Sequence, residues 1–475
     1  MPKFSKHFRI NAPQSQLDFV DINTDFDTPV YVDPYAIEIR NDVWSAEASD
    51  FIRIFFLEVL NALKSGDDSR AKNLMSHLHE PYETYLGVSE GKPQGKGVGA
   101  KQSLQMINAI KGSAAFKSGL LSDLSEMALF VDHVDRDKIS DLTTNIIRKK
   151  LVQYTQEQCS LYGIPLQQHN GPPAWDAVLK NWRSEFFDLP HIEDEPVILV
   201  PKYIVRKRLS LDSQSFYNKQ ITDFLMAEHV QANSSLVTLL KGKPKILKKD
   251  VRAAHPKSKK LISEIVAKKP TVLAEYKQLA SNEKLIMVNT SDDDQSVSQS
   301  CIDLIKELAT IPTGASAADK YHMWTMRALT ICFYPDLIQP HKEWEINDGR
   351  KRIDIVFTNA ANQGFFAQRR DANNTAATMV IVECKNYSKD IVNPEIDQLL
   401  GRFDNNRGRF GIMTCRSVEN EDRLLARQRD LAKGGQAFIL TLTDQDFVTL
   451  LDAKAHLKDN LVENILHQKF REIIS

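Results

Sequence analysis

Four short apolar runs in the last third of the chain restrict its fold more than any other feature. They are RKRIDIVF (350–357), MVIVECKNYS (379–388), RFGIMTCRS (409–417) and QAFILTLT (436–443). Each is the length of one strand, and segments of helical period lie between them. In NPEIDQLLGRF, Ile396, Leu399, Leu400 and Phe403 keep a 3.6-residue spacing, with Pro394 suited to a first helical turn and Asn393 to a cap. RLLARQRDLAKGG ends on Gly434-Gly435, and DQDFVTLLDA opens on Asp444 as an expected cap. Upstream, AADKYHMWTMRALTICFYP reads as a helix. Asn347-Asp348-Gly349 marks a tight hairpin before the first apolar run, because Gly tolerates positive φ. The predicted order is helix, hairpin, strand, helix, strand, helix, strand, helix, an α/β sandwich with a mixed central sheet.

The whole chain has 475 residues, which calls for two or three domains. Residues 1–190 read as a mostly helical regulatory or recognition domain. It has an extended opening (FVDINTDFDTPVYVDP), a helix over SDFIRIFFLEVLNALKSG stopped by Gly66, and further helices over DLSEMALFVDHV and ISDLTTNIIRKKLVQYTQEQC. Residues 191–295 read as a basic connecting region with some strand (EPVILVPKYIVRK) and helix, closed by a polar, acidic stretch at 281–300. Residues 300–475 form the α/β part. The expected class is therefore a multi-domain chain, helical at its N-terminal end and α/β at its C-terminal end.

Lys+Arg (61) nearly balances Asp+Glu (62), so net charge does not advertise nucleic-acid binding and any basic surface must be local. One is present in sequence: Lys241 to Lys269 carries 11 Lys/Arg against two acids. It fits a solvated linker helix or a surface that tracks phosphates. The five cysteines are scattered without a CxxC, which argues against a disulfide framework or zinc ribbon. No apolar run approaches the roughly 20 residues that span a bilayer. The start lacks the apolar core of a secretory signal. These features lead us to expect a cytoplasmic protein with no membrane partner. The Gly-rich EGKPQGKGVGAK (90–101) lacks the Walker A spacing and reads as a flexible or phosphate-contacting loop. Asp137, Asp141 and Asn145 form one helical stripe, either a solvated face or a sensor site. His77-x-His79-Glu80 has metal-ligand residue types without a further partner.

The chemistry concentrates in the apolar runs. Asp354 lies between Ile353 and Ile355, and a carboxylate inside an apolar strand is costly unless something pairs with it. A metal is one such partner. Glu383 and Lys385 are two apart at the end of an apolar strand, so both point to one face. Gln398 and Arg402 lie beside the apolar face of the next helix.

This arrangement, GRKRIDIVF, then VIVECKN, then EIDQLLGRF, resembles the PD-(D/E)xK nuclease superfamily, and within it the Mrr-like restriction-endonuclease domains. The resemblance covers roughly residues 310–455. It implies a restriction-endonuclease-like sandwich in which Asp354 and Glu383 ligate Mg²⁺, with Mn²⁺ able to substitute. Lys385 would activate the attacking water and stabilise developing charge, and Gln398 would support the site from its helix. Many members carry an acid on the first helix, for which Asp319 is the nearest candidate. A departure is the insertion at 358–378, whose Phe365-Phe366 and Arg369-Arg370 either touch substrate or belong to a hairpin. Arg350, Lys351, Arg352, Arg402, Arg407 and Arg409 are candidate backbone-phosphate contacts.

The implied activity is metal-dependent hydrolysis of DNA, in a layout like that of bacterial restriction and anti-phage effectors. A homodimer would cut both strands, and a partner protein or activating signal would control the site. A nuclease for RNA or branched DNA and an inactive nucleic-acid-binding scaffold are the alternatives.

Overall fold

The computed structural model describes residues 3–78, 80–87, 100–240, 243–282, 296–387 and 389–475. The Gly-rich loop at 90–99, His79 and the acidic stretch at 283–295 lie outside the described residues.

The N-terminal region is mostly helical. Its longest helix, α1 (Val43–Ser65), is capped by the Asp42 carboxylate, which accepts the Ser45 N–H, and is stopped by Gly66 at φ 78°. The expected single helix over 139–159 is two: α2 (Arg136–Ile146) and α3 (Arg148–Tyr162). The extended opening is largely buried but forms only one short ladder among the described residues, Tyr31–Val32 against Val205–Arg206, besides single bridges such as Phe19 to Pro201 and Thr28 to Leu86. Val197 to Val200 are likewise buried yet outside any strand. These runs satisfy their amides singly, as with Val20 N–H to Val200 C=O and Ile198 N–H to Glu83 C=O, so apolar content alone overstates strand here. One core spans both of the first two segments drawn from the sequence, from Phe4 to Ala280, and takes in Tyr334, Ile338 and Ala360 of the C-terminal part.

The C-terminal part is a five-stranded mixed sheet between helices. The helices are α4 (Val297–Leu308), α5 (Ala318–Phe333), α6 (Gly364–Asp371), α7 (Asn393–Leu400), α8 (Glu421–Lys433), α9 (Asp444–Ala455) and α10 (Asp459–Ile474). The strands β1 (Leu337–Ile346), β2 (Lys351–Asn359), β3 (Met379–Lys385), β4 (Phe410–Cys415) and β5 (Phe438–Thr443) lie in sequence order. β1, β2 and β3 are antiparallel neighbours; β3, β4 and β5 are parallel. Each parallel crossover carries a helix, as such connections require. One face packs on α4, α5, α9 and α10 through Trp324, Phe357, Val382, Leu440 and Phe447; the other packs on α7 and α8 through Ile381, Leu399, Met413 and Leu424.

Three details differ from the sequence reading. The insertion at 358–378 forms α6, with Phe365 and Phe366 fully buried against Phe410 and Phe470, so those rings are closed to substrate. Helix α9 is capped by Thr443, which frees Asp444 to accept from Arg416 Nε at 2.7 Å. Helix α7 begins at Asn393, and Glu395 reaches back to accept the Val392 N–H at 3.0 Å.

The two parts meet in a seam where Tyr334, Ile338 and Ala360 pack on the N-terminal core beside a buried polar group. Edge strand β1 bulges between Ile338 and His341, and Gln339 there has φ 49°. The bulge turns the Gln339 N–H to the buried Asp18 carboxylate (3.1 Å) and its amide to Tyr203 Oη (2.7 Å). Tyr154 Oη also donates to Asp18, at 2.8 Å. All five cysteines are free and buried. Among the described residues no helix is long and apolar enough to cross a membrane.

Candidate active site

The ladder between β2 and β3 stops at Ile355–Val382. Asp354 and Glu383 are the next residues, one on each strand, at the point where pairing ends. The Cys384 N–H, left without a strand partner, is taken by Asp354 Oδ2 at 2.8 Å. The β1–β2 register, which pairs Lys342 with Ile355 and Trp344 with Ile353, sets Glu343 opposite Asp354. Glu343, Asp354 and Glu383 thus form a row across three strands. Glu343 has φ 54°, a conformation costing a non-glycine residue about 1–2 kcal/mol.

Glu383 is fully buried. Its Oε1 accepts from Lys385 Nζ at 2.8 Å, and its Oε2 has no partner among the described residues. Burial first, then the charge of Asp354, holds this carboxyl above its ordinary range; Lys385 and Arg402 act the other way. Lys385 Nζ also donates to Gln398 Oε1 at 2.9 Å. Two of the three ammonium donors are thereby fixed, and the third is left for a ligand. Gln398 is held by α7, whose Ile396 and Leu399 are buried against the sheet.

Sequence reasoning missed two members of this group. His322, on α5, places Nε2 3.9 Å from Asp354 Oδ2 and Nδ1 3.8 Å from Glu343 Oε1. The sequence signal for His322 was a titratable side chain among the buried residues of a helix; for Glu343 it was the register of a hairpin arm. Asp319, the expected first-helix acid, is one turn from His322 but points to Lys342, with its side chain 76% exposed. It is not brought to the row.

The basic candidates separate. Arg402 acts electrostatically on Glu383, and its buried Nε has no partner among the described residues. Arg352 precedes Asp354 by two on β2 and pairs with Glu345 at 3.1 Å. Arg350 is exposed in the hairpin turn, beside Asp348 at 3.3 Å. Lys351 Nζ donates to Gly401 C=O at 2.9 Å, and Arg407 Nε to Arg402 C=O at 3.0 Å. Arg409 precedes β4 and lies at the other end of the sheet, where it donates to Gly435 C=O at 3.1 Å. That position is about 13 Å from Glu383 at the usual rise per strand residue.

The donor chemistry fits a divalent cation. Two carboxylates, one with a buried oxygen left unpartnered, offer hard oxygen ligands, and an added positive charge would offset the repulsion between them. His322, Asp354 and Cys384 also have donor atoms within 4.8 Å of one another. Burial pushes the Cys384 thiol well above its ordinary range in the absence of a cation, and sulfur is a soft donor that a hard cation such as Mg²⁺ does not favour. Of that cluster Asp354 offers oxygen and His322 nitrogen; Glu383, opposite Asp354 on β3, lies outside it.

Residues 9–212 are similar to a domain of unknown function (DUF8370). No curated protein matches the chain, and no solved structure does. The matched segment ends before the Asp354–Glu383 row.

Within that segment, the Asp137–Asp141–Asn145 stripe is solvated only at its Asp137 end; Asp141 is partly buried. Asn145 is buried, and the Asp27 and Asp137 carboxylates converge over Gly87. Burial, reinforced by Asp137 and Glu80, pushes the Asp141 carboxyl up to about 8. The folded chain keeps a proton there that the unfolded chain releases near pH 4. Stability from this group is therefore present at low pH and lost as pH rises toward 8. Asp141→Asn is expected to raise unfolding free energy by roughly a few kcal/mol at pH 8.5, at roughly 1.4 kcal/mol per pKa unit, and much less at pH 4.5. Urea unfolding at both pH values checks this; an equal gain at both would contradict it.

The basic run is partly committed to the fold. Lys259 donates to the Val131 and Val134 carbonyls, Lys248 pairs with Asp223, and Lys257 donates to Gln214.

Proposed function

We propose that the C-terminal α/β part is a divalent-metal-dependent endonuclease acting on DNA, of the PD-(D/E)xK kind. One observation carries the reading: Asp354 and a buried Glu383 with an unpartnered Oε2 stand opposite each other just past the end of the β2–β3 ladder, with Lys385 fixed by Glu383 and Gln398. Asp354 and Glu383 would hold the cation. When bound, the cation would polarise the scissile phosphate and lower the pKa of a water molecule.

The protein's own groups do the rest. Lys385 keeps its ammonium beside the cation position, where its free N–H can meet the negative charge that builds on phosphorus. Gln398 fixes the direction of that ammonium. Arg352 and Arg402 flank the row and are placed to hold neighbouring phosphates, which fixes strand position without reading bases. Arg409 is too far along the sheet to join them.

The test is cleavage by purified full-length protein, with Mg²⁺, Mn²⁺ or EDTA, on supercoiled plasmid, linear duplex, methylated DNA, single strands and RNA. Metal-dependent cutting of DNA that disappears in Glu383→Ala/Lys385→Ala is expected. Cutting that survives the double substitution, or cutting of RNA alone, would overturn the assignment.

His322 adds a prediction on metal choice. Imidazole suits transition ions better than Mg²⁺. His322→Ala is expected to lower Mn²⁺-supported activity about tenfold more than Mg²⁺-supported activity, near the lower end of losses when a metal's supporting shell is altered. Equal losses with both ions would mean that His322 only positions Asp354.

A further inference from the structure

Helices α6 and α10 enclose a groove of about 810 Å³ at the pole of the sheet away from Asp354. Its walls carry Arg369, Arg471, His467, Gln368, Asn464 and Gln468. Arg369 is the unusual member. Its guanidinium stacks on Phe470, 3.9 Å from the ring centroid, and also lies over Phe365 at 5.5 Å. Its Nε is buried without a hydrogen-bond partner, and among the described residues no carboxylate pairs with it. Its neighbour Arg370, by contrast, pairs with Asp371 at 2.9 Å.

A half-buried guanidinium with neither acid nor carbonyl to accept its donors is a position that calls for an anion. Stacking on Phe470 fixes the plane of the fork, so less freedom is lost when an oxyanion takes it. Arg471, exposed on the same helix as Phe470, adds charge along one wall, and His467 lies beside it. The His467 ring is 3.5 Å from Glu463, and Gln468 donates to Glu472 at 3.4 Å, so Arg369 and Arg471 are the cations left for a ligand. Three amide side chains supply hydrogen-bond donors and acceptors beside them. The volume suits a ligand the size of a nucleotide.

This groove is separate from the Asp354–Glu383 row. Phe470 packs on Phe410 and Phe438, the first residues of β4 and β5. In the β3–β4 register Phe410 falls level with Val380, three residues or about 10 Å short of Glu383.

We propose that the α6–α10 groove binds phosphate oxyanions on a nucleotide-sized ligand, with Arg369 as the central contact and Arg471 as the second. The same chemistry is presented by a free nucleotide and by a stretch of nucleic-acid backbone.

The test is calorimetric titration of the full-length protein in EDTA with ATP, adenosine and a 12-nucleotide single-stranded DNA. EDTA removes the cation-dependent contribution of the Asp354–Glu383 row. ATP or the oligonucleotide is expected to bind, adenosine is not, and affinity should fall at least tenfold in Arg369→Gln and at least threefold in Arg471→Ala. Asp354→Asn should leave binding unchanged. Binding of ATP identifies a free nucleotide as the source; binding of the oligonucleotide alone identifies backbone phosphate. If Arg369→Gln does not fold, Arg471→Ala, on an exposed helical face, decides. No binding by either phosphate probe, equal binding of adenosine, or affinity unmoved by the arginine substitutions would overturn the proposal.

Discussion

Lys385→Met is expected to lower the rate of DNA cleavage by about 10²–10³-fold, the usual cost of removing one charge-stabilising donor from a water-poor site. The side chain is nearly isosteric, so the loss reports charge. In the folded protein the ammonium is shared between Glu383 Oε1 and Gln398 Oε1. Removing it leaves the buried Glu383 facing Asp354 with one less compensating charge, which raises its proton affinity further. The variant should therefore recover part of its activity as pH is raised, because the carboxylate needed for the cation is then restored. Gln398→Ala keeps the charge and loses only its aim, so a smaller loss, about tenfold, is expected. Steady-state cleavage against pH separates the two. A Lys385→Met enzyme with wild-type rates would show that the ammonium has no part in the reaction.

Arg148→Met is expected to cost about 3–5 kcal/mol of stability, the range for breaking one side of a buried ion pair. Arg148 and Glu83 are both almost fully buried, and Arg148 Nη1 donates to Glu83 Oε1 at 2.9 Å. Glu83 Oε2 and Arg148 Nε have no partner among the described residues, so the pair is not fully compensated as it stands. Leaving the carboxylate alone is worse than removing both charges. The double variant Arg148→Met/Glu83→Gln should regain at least half of the loss. Urea unfolding of the three proteins reads this, and a loss below 1 kcal/mol in Arg148→Met would show that the pair contributes little.

The parts legible in sequence and the parts hidden from it follow from how local the cause is. The five strands were legible because apolar β-branched residues between turn signals specify strand locally, and Asn347-Asp348-Gly349 has the positive φ that its turn requires. Asp354, Glu383, Lys385 and Gln398 were found because strand and helix periodicity place them. Helix α6 was hidden by its polar flanks, and α10 was not anticipated; both gain their burial from tertiary contact among Phe365, Phe410 and Phe470. Residues 19–30 and 197–204 misled because burial came without a strand ladder. His322 and Glu343 were out of reach, since only the packing of α5 on the sheet and the register of β1 bring them to Asp354. Asp319 was nearer in pattern and was drawn off by Lys342.

The most direct test of the Asp354–Glu383 site is metal-linked stability, read without any substrate. A ligand that binds only the folded state raises the melting temperature as its concentration exceeds Kd. Thermal unfolding of wild type and Glu383→Ala would be followed over a titration of Mn²⁺ and of Mg²⁺. A saturable rise in wild type that is absent in Glu383→Ala is the predicted result. The same rise in both proteins, or none in either, would contradict a cation held by Asp354 and Glu383.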